Sequence, residues 1–287
     1  WFVWSPNRLL KITPPAGAAN PGQSNIIQFS KNHLLSIMAA EIQDKGAIMP
    51  LIYEPRGKAA EYSPLAMNIY KGCSHGCVYC YAPAATYNQR DKFHTNVQPR
   101  NNFFQELRKD VQKFRGDKRP ILMCFTTDPY QPIEETAKLT RISIKRLIEN
   151  GNSVKVLTKG GMRAVRDFDI MKAGDVSFGC TLTFIDPVKS LEWEPGATLP
   201  EDRINVLREA KNAGINTWAS LEPVIDPEQV YEIINATHEF IDLYKVGKLN
   251  YHPLSKTIAW HDFRVNVESL LTSLNKDFYI KDDLRKF

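Results

Sequence analysis

Short apolar runs at 65–70, 121–125, 153–157, 176–182, 217–221 and 243–246 alternate with amphipathic stretches at 102–115, 134–150, 162–173, 201–213, 227–240 and 262–274. The runs have the length of buried strands, and the stretches repeat apolar residues every three or four positions, as helices do. In 102–115, Phe104, Leu107, Val111 and Phe114 make the apolar stripe, with Arg108, Lys109, Lys113 and Arg115 opposite. Asn150-Gly151, Ala173-Gly174 and Ala213-Gly214 end three helices with a glycine suited to a left-handed cap. Six strand–helix units in strict alternation predict an α/β fold, a parallel sheet curled into a partial (β/α)6 TIM barrel with an N-terminal extension.

The barrel is expected over 56–252. Before it, 1–55 reads as an extension: a Pro-, Gly- and Ala-rich linker from Pro14 to Ser24, then a helical pattern at 31–43 with Leu34, Leu35, Ile37, Met38 and Ile42 on one face. Residues 253–287 read as a C-terminal helix and a solvated charged tail. No apolar run approaches the roughly 18 residues of a membrane helix. Trp1-Phe2-Val3-Trp4 is interrupted by Pro6 and Arg8, so it does not read as a signal peptide.

In parallel α/β barrels, reactive groups belong on loops after the carboxyl ends of strands. The predicted strands run into Thr126-Thr127-Asp128, Thr158-Lys159-Gly160-Gly161, Thr181 and Thr183, Glu222, and Lys248 with Asn250, so polar residues converge on one rim. The loop after the first strand holds Cys73, Cys77 and Cys80. Three thiolates so close together can hold three irons of a four-iron cluster and leave the fourth open to another ligand. A structural zinc wants four ligands; His75 inside the first gap has poor tetrahedral reach, and no second Cys-x-x-Cys or His pair follows. Cys124 and Cys180 bring the cysteines to five, an odd number that does not suggest a disulfide framework. Unpaired thiols beside an oxygen-sensitive cluster point to a reducing cytoplasm. Cys180 reads as core, and His252 and His261 as surface residues near a turn.

The spacing Cys-x3-Cys-x2-Cys, with an aromatic before the last cysteine, resembles the signature of the radical S-adenosylmethionine (SAM) superfamily. Asn68-Ile69-Tyr70-Lys71-Gly72-Cys73-Ser74-His75-Gly76-Cys77-Val78-Tyr79-Cys80-Tyr81-Ala82 is similar to its spore photoproduct lyase-like branch. So are the segments from Thr126 to Glu134, Leu157 to Gly160 and Ser220 to Asp226, and the resemblance covers about 61–250. It implies a [4Fe-4S] cluster on the three cysteines, with SAM cleaved to a 5′-deoxyadenosyl radical. Tyr79 is then expected near the adenine, and Thr126, Thr127 and Asp128 near the methionine moiety, Asp128 facing its ammonium. Thr181 and Thr183 are candidate ribose or carboxylate contacts, Lys159 a cation for a carboxylate, and Glu222 completes the cofactor-binding set. Tyr81 and Cys124 are the catalytic candidates, as a hydrogen-passing tyrosine and a hydrogen-donating thiol. In the lyases that cysteine directly precedes the Thr/Ser-Asp segment, whereas here Phe125 intervenes. A shift of one residue turns a strand side chain to the opposite face.

Charge bears on the substrate. The chain of 287 residues carries a net +5, with 43% hydrophobic and 24% charged residues, ordinary for a globular protein. Segment 90–172 holds eighteen Lys and Arg against ten Asp and Glu. Such a basic middle suits a nucleic-acid substrate, through lesion repair or base modification, as well as it suits solvated helix faces. Radical modification of a peptide or small metabolite is the enzymatic alternative. An iron–sulfur electron carrier or a zinc-stabilised interaction module is the non-enzymatic one. Expected partners are an external electron donor such as flavodoxin or ferredoxin, possible nucleic acid, and no membrane.

Overall fold

The computed structural model describes residues 50–287. The linker and the helix expected at 31–43 lie outside the described residues. The strands are β1 (Ile52–Tyr53), β2 (Leu65–Met67), β3 (Tyr70–Lys71), β4 (Gln98–Pro99), β5 (Ile121–Met123), β6 (Val154–Thr158), β7 (Val176–Thr181), β8 (Asn216–Val224), β9 (Leu243–Lys248) and β10 (Asp277–Ile280). The α-helices are α1 (Ala82–Ala85), α2 (Arg90–Thr95), α3 (Phe103–Lys113), α4 (Glu134–Ala137), α5 (Leu139–Glu149), α6 (Phe168–Met171), α7 (Pro187–Trp193), α8 (Pro200–Asn212), α9 (Pro227–Thr237), α10 (Trp260–Ser273) and α11 (Asp282–Arg285).

The main sheet runs in the order β1-β2-β5-β6-β7-β8-β9-β10, and β3 pairs separately with β4. From β2 to β10 every neighbour is parallel, and only β1 runs against its partner. This is the partial barrel that the alternating pattern predicts, with a further parallel strand, β10, on its far edge. That strand lies in the segment read from the sequence as helix and tail. Helix α10 is therefore the crossover between β9 and β10.

Side chains alternate between two cores. Leu65, Met67, Ile121, Met123, Val154, Val156, Phe178, Leu221 and Val246 face the helices in one large apolar cluster. The lumen holds a smaller cluster of Tyr62, Ala66, Leu122 and Trp218. Trp218 fills it because the neighbouring residue is glycine: a Cβ on Gly179 would lie 2.4 Å from the indole.

Three local departures from the expected elements have side-chain causes. The first strand was expected to reach Tyr70, but the ladder stops at Met67 because the Asn68 amide oxygen accepts from the backbone N–H groups of Phe125 (2.8 Å) and Thr126 (2.9 Å). The helix expected at 134–150 is broken at Lys138, which is left-handed (φ 52°). Beyond the break, Glu134 accepts from the N–H of Thr140. Gly151 and Gly214 have the left-handed φ that a cap asks for, whereas Gly174 is needed for close approach, since a Cβ there would sit 2.6 Å from Ile148.

Candidate active site

The cysteine loop leaves β3 at Gly72, whose φ of +78° and proximity to the Phe93 carbonyl (2.6 Å from a would-be Cβ) admit glycine alone without strain. Three walls then hold its backbone. From α2, the Phe93 carbonyl accepts from Cys73 N, His94 Nδ1 meets the Cys73 carbonyl at 2.8 Å, and the Arg90 guanidinium donates to the carbonyls of Cys77, Val78 and Cys80. From the loop after β5, Gln131 Oε1 accepts from Ser74 N at 3.0 Å, and Thr127 Oγ1 donates to the Gly72 carbonyl at 2.7 Å. From the end of α7, the Trp193 carbonyl accepts from Val78 N, and Gly196 N donates to the His75 carbonyl. Gly196 touches the loop so closely that a Cβ would lie 2.3 Å from the Ser74 carbonyl oxygen.

Burial, before the neighbouring carboxylate and thiols, raises the Cys73 thiol well above its ordinary range and pushes Cys77 up to about 11; burial also raises Cys80. Such thiols become thiolates when a bound cation stabilises them. His75, 2% exposed, and His94 each carry an Nε2 with no partner in the protein. Burial holds His75 neutral, with its titration lowered to about 4. Among the described residues, no three His, Cys, Asp or Glu side chains converge as ligands of a single ion. Three unpaired thiols on a pinned loop, flanked by imidazole nitrogens without partners, fit a multi-iron cluster in which each thiolate takes its own iron.

The structure distributes the other candidate residues over different walls. Asp128, expected to face an ammonium, is engaged by the chain itself: its carboxylate accepts from Tyr130 N (2.8 Å), Thr158 Oγ1 (2.6 Å) and Lys159 N (2.7 Å), and lies 3.6 Å from His75 Nδ1. It ties the β5 and β6 loops together and is 6% exposed. Thr126 donates its N–H to Asn68, and Thr127 supports the cysteine loop. The Tyr79 hydroxyl donates to Glu194 and lies 3.4 Å from Thr183 Oγ1, while Lys159 Nζ stands 5.6 Å from the Tyr79 ring centre. The Thr181 carbonyl accepts from Arg203 at 3.1 Å. Tyr81, half exposed, donates to the Phe125 carbonyl.

Phe125 joins the lumen cluster, while Cys124, 4% exposed, belongs to the helix-side cluster. The intervening phenylalanine thus takes the face expected of a hydrogen-donating cysteine. Glu222 makes its hydrogen bonds to Tyr62 and Lys281 and none to the cysteine loop.

Sequence reasoning missed Glu194 and Arg203, a fully buried ion pair at 2.6 Å. Burial opposes the charge on Glu194, but Arg203 and Lys159 outweigh it and hold its carboxyl below the usual range. Arg203 also donates to the Thr198 and Thr181 carbonyls, so one guanidinium fastens α7, α8 and the end of β7. A signal was available for α7: Asp186-Pro187 is a cap followed by proline at the first helical position, and Asp186 accepts from Val188 N and Lys189 N.

Comparison with known proteins matches this architecture. The radical SAM superfamily model matches residues 67–241. An uncharacterized protein of Methanocaldococcus jannaschii is 31% identical over 188 residues, 64% of this chain and 70% of that protein. An uncharacterized protein of Mycobacterium tuberculosis is 29% identical over 167 residues, 55% of this chain and 49% of its own length, so the chain spans about half of that relative. A radical SAM Nalpha-GlyT isomerase of Pseudomonas phage M6 is 24% identical over 65% of this chain and 37% of that protein. Spore photoproduct lyase, in a variant with bound AdoMet and dinucleoside spore photoproduct, superposes with a TM-score of 0.63 at 11% identity, covering 92% of this chain and 87% of that one. A family model that spans most of the barrel, over a cysteine loop built and cradled in this way, shows that the chain belongs to the radical SAM superfamily, whose members use a [4Fe-4S] cluster and SAM.

Proposed function

We propose that Cys73, Cys77 and Cys80 hold the cluster and that the enzyme turns the resulting radical on nucleic acid. The observation that carries the first half is the pinned cysteine loop at the carboxyl edge of the sheet. When bound, the cluster and SAM supply a 5′-deoxyadenosyl radical by reductive cleavage of a carbon–sulfur bond. The chain's own residues position these groups. Thr127, Gln131, Arg90 and Gly196 fix the loop. Lys159 offers a cation for the SAM carboxylate beside Tyr79, and Thr183 and Glu194 orient the Tyr79 ring. Tyr81, half exposed and directly after Cys80, is the hydrogen-passing candidate; burial of Cys124 on the helix side weakens the case for a thiol donor. An external one-electron donor of the flavodoxin or ferredoxin kind supplies the reductant.

Nucleic acid is favoured by the dinucleoside spore photoproduct bound to the structural neighbour more than by charge. Several arginines of the basic middle are held in ion pairs: Arg119 with Asp117 and Glu54, Arg141 with Asp167 and Asp169, Arg163 with Glu135, Arg166 with Glu134.

Anaerobic reconstitution with iron and sulfide, then dithionite and SAM, tests the reading by detection of 5′-deoxyadenosine. Product is expected from the unaltered chain and is lost in Cys73→Ala, Cys77→Ala and Cys80→Ala, together with the cluster's visible absorbance. Stoichiometric zinc in place of iron would overturn it.

A further inference from the structure

The barrel lumen holds a polar assembly that the cysteine loop and its cradle do not use. Glu222, on β8, accepts from the Tyr62 hydroxyl at 2.5 Å and from Lys281 Nζ at 2.9 and 3.1 Å. Because the Tyr62 proton goes to Glu222, the Ser220 hydroxyl 2.7 Å away donates to Tyr62. Lys281 is anchored in turn on the Lys58 carbonyl. Opposite, β9 makes room: a Cβ on Gly247 would lie 2.6 Å from Glu222 Cδ. One layer below, Ser220 pairs with Lys245 and Lys245 with Tyr279 across three adjacent strands.

Aromatic rings connect this layer to the reaction centre. Phe125 lies 5.9 Å from Tyr62 and 6.0 Å from Tyr81, centre to centre, and Tyr81 directly follows Cys80. Glu222 therefore belongs to the lumen facing the cysteine loop. Its hydrogen bonds run to Tyr62 and Lys281, away from the Thr127, Gln131 and Glu194 side that cradles the loop.

The exposure of the pair is asymmetric. The Lys281 side chain is 3% exposed and that of Glu222 16%. A carboxylate has about four lone-pair directions. Tyr62 and Lys281 occupy three, leaving Oε1 one acceptor position with its orientation fixed and its charge balanced by Lys281. Beyond Tyr62 and Phe125 stands the half-exposed ring of Tyr81, a surface on which a planar base can stack.

We propose that Glu222, oriented by Lys281 and Tyr62 and seated on Gly247, is a substrate-recognition acceptor that receives the N–H of a pyrimidine-type base stacked along Tyr81 and Phe125. This moves Glu222 from the cofactor to the substrate, and it rests on the nucleic-acid reading.

The test compares reconstituted protein with its Glu222→Gln and Gly247→Ala variants, one altering the acceptor and the other displacing it from β9. Affinity is measured for a short thymidine-rich single strand and for an abasic strand of equal length; SAM affinity and the cluster's electron paramagnetic resonance are measured in parallel. The unaltered protein is expected to prefer thymidine, and both variants to reduce that preference about tenfold, the worth of one charge-assisted hydrogen bond. SAM affinity and the cluster signal should stay within about twofold, because Glu222 read as a substrate contact leaves the cofactor untouched. Tyr62→Phe, which removes a single hydroxyl, is read in the same way if either variant fails to fold. Retained preference in the variants, equal binding of both strands by the unaltered protein, or loss of SAM affinity with Glu222 overturns the proposal and leaves the nucleic-acid reading standing. Absence of binding to either strand by the unaltered protein at low salt defeats the nucleic-acid reading itself, and the base ligand with it.

Discussion

Single residues set the shape and the charge of this site. Gly72 has both a left-handed backbone and a carbonyl where a methyl group would go, so Gly72→Ala should cost about 1–3 kcal/mol and loosen the start of the cysteine loop. Iron retained after reconstitution and the denaturation midpoint should fall together. Lys245 is a second such residue, buried in the lumen over the Tyr62 and Tyr279 rings and donating to the Glu61 and Tyr62 carbonyls. Burial first, then Lys155 and Lys281, lower its ammonium from 10.5 to about 7, against the opposing pull of Glu61 and Glu222. Between those two values the unfolded chain binds more protons than the folded one, so stability climbs with pH across that window. Lys245→Met should raise stability near neutrality and flatten the climb, which melting curves at about pH 7.5 and about pH 9.5 will show.

At the level of elements, the buried Glu194–Arg203 pair couples α7 and α8 to the cysteine loop through Tyr79. Removing one partner strands the other charge, so Arg203→Met should cost about 3–5 kcal/mol. The double variant Glu194→Gln with Arg203→Met should recover much of that loss in a denaturant titration. The strands that the sequence made readable, β2 and β5 to β9, are those whose short apolar runs pack into the helix-side core. Those it concealed are short and mixed: β10, Asp277-Phe278-Tyr279-Ile280, lies in a charged segment and becomes a strand only by pairing with β9. The three cysteines were legible because their ligand chemistry is local. Glu194, Arg203 and Lys281 were not, because long-range contacts alone distinguish a buried charge from a solvated one. Asp128 misled for the same reason, since its partners come from another strand's loop.

For the molecule as a whole, a net charge of +5 is small beside that of dedicated nucleic-acid binders. With so small an excess of cations, and several arginines of the middle segment held against carboxylates, affinity for a short oligonucleotide should fall only modestly with salt, by a log–log slope of about −2 to −3, where dedicated binders approach about −10. Anisotropy titrations at several salt concentrations would measure it, and a steep slope would reveal a basic face that the internal pairing does not suggest. The clamp of Arg90 on three successive carbonyls of the cysteine loop has a consequence for biogenesis. These bonds reach the loop's backbone independently of its thiols, so the socket is expected to keep its shape when the cluster is removed. Chelator-stripped protein should keep its far-ultraviolet circular dichroism and accept iron and sulfide again without refolding, unlike small zinc domains that collapse when the metal is removed. A cell could then fold this enzyme first and mature it afterwards, with an interruption in cluster supply leaving a dormant reserve instead of waste.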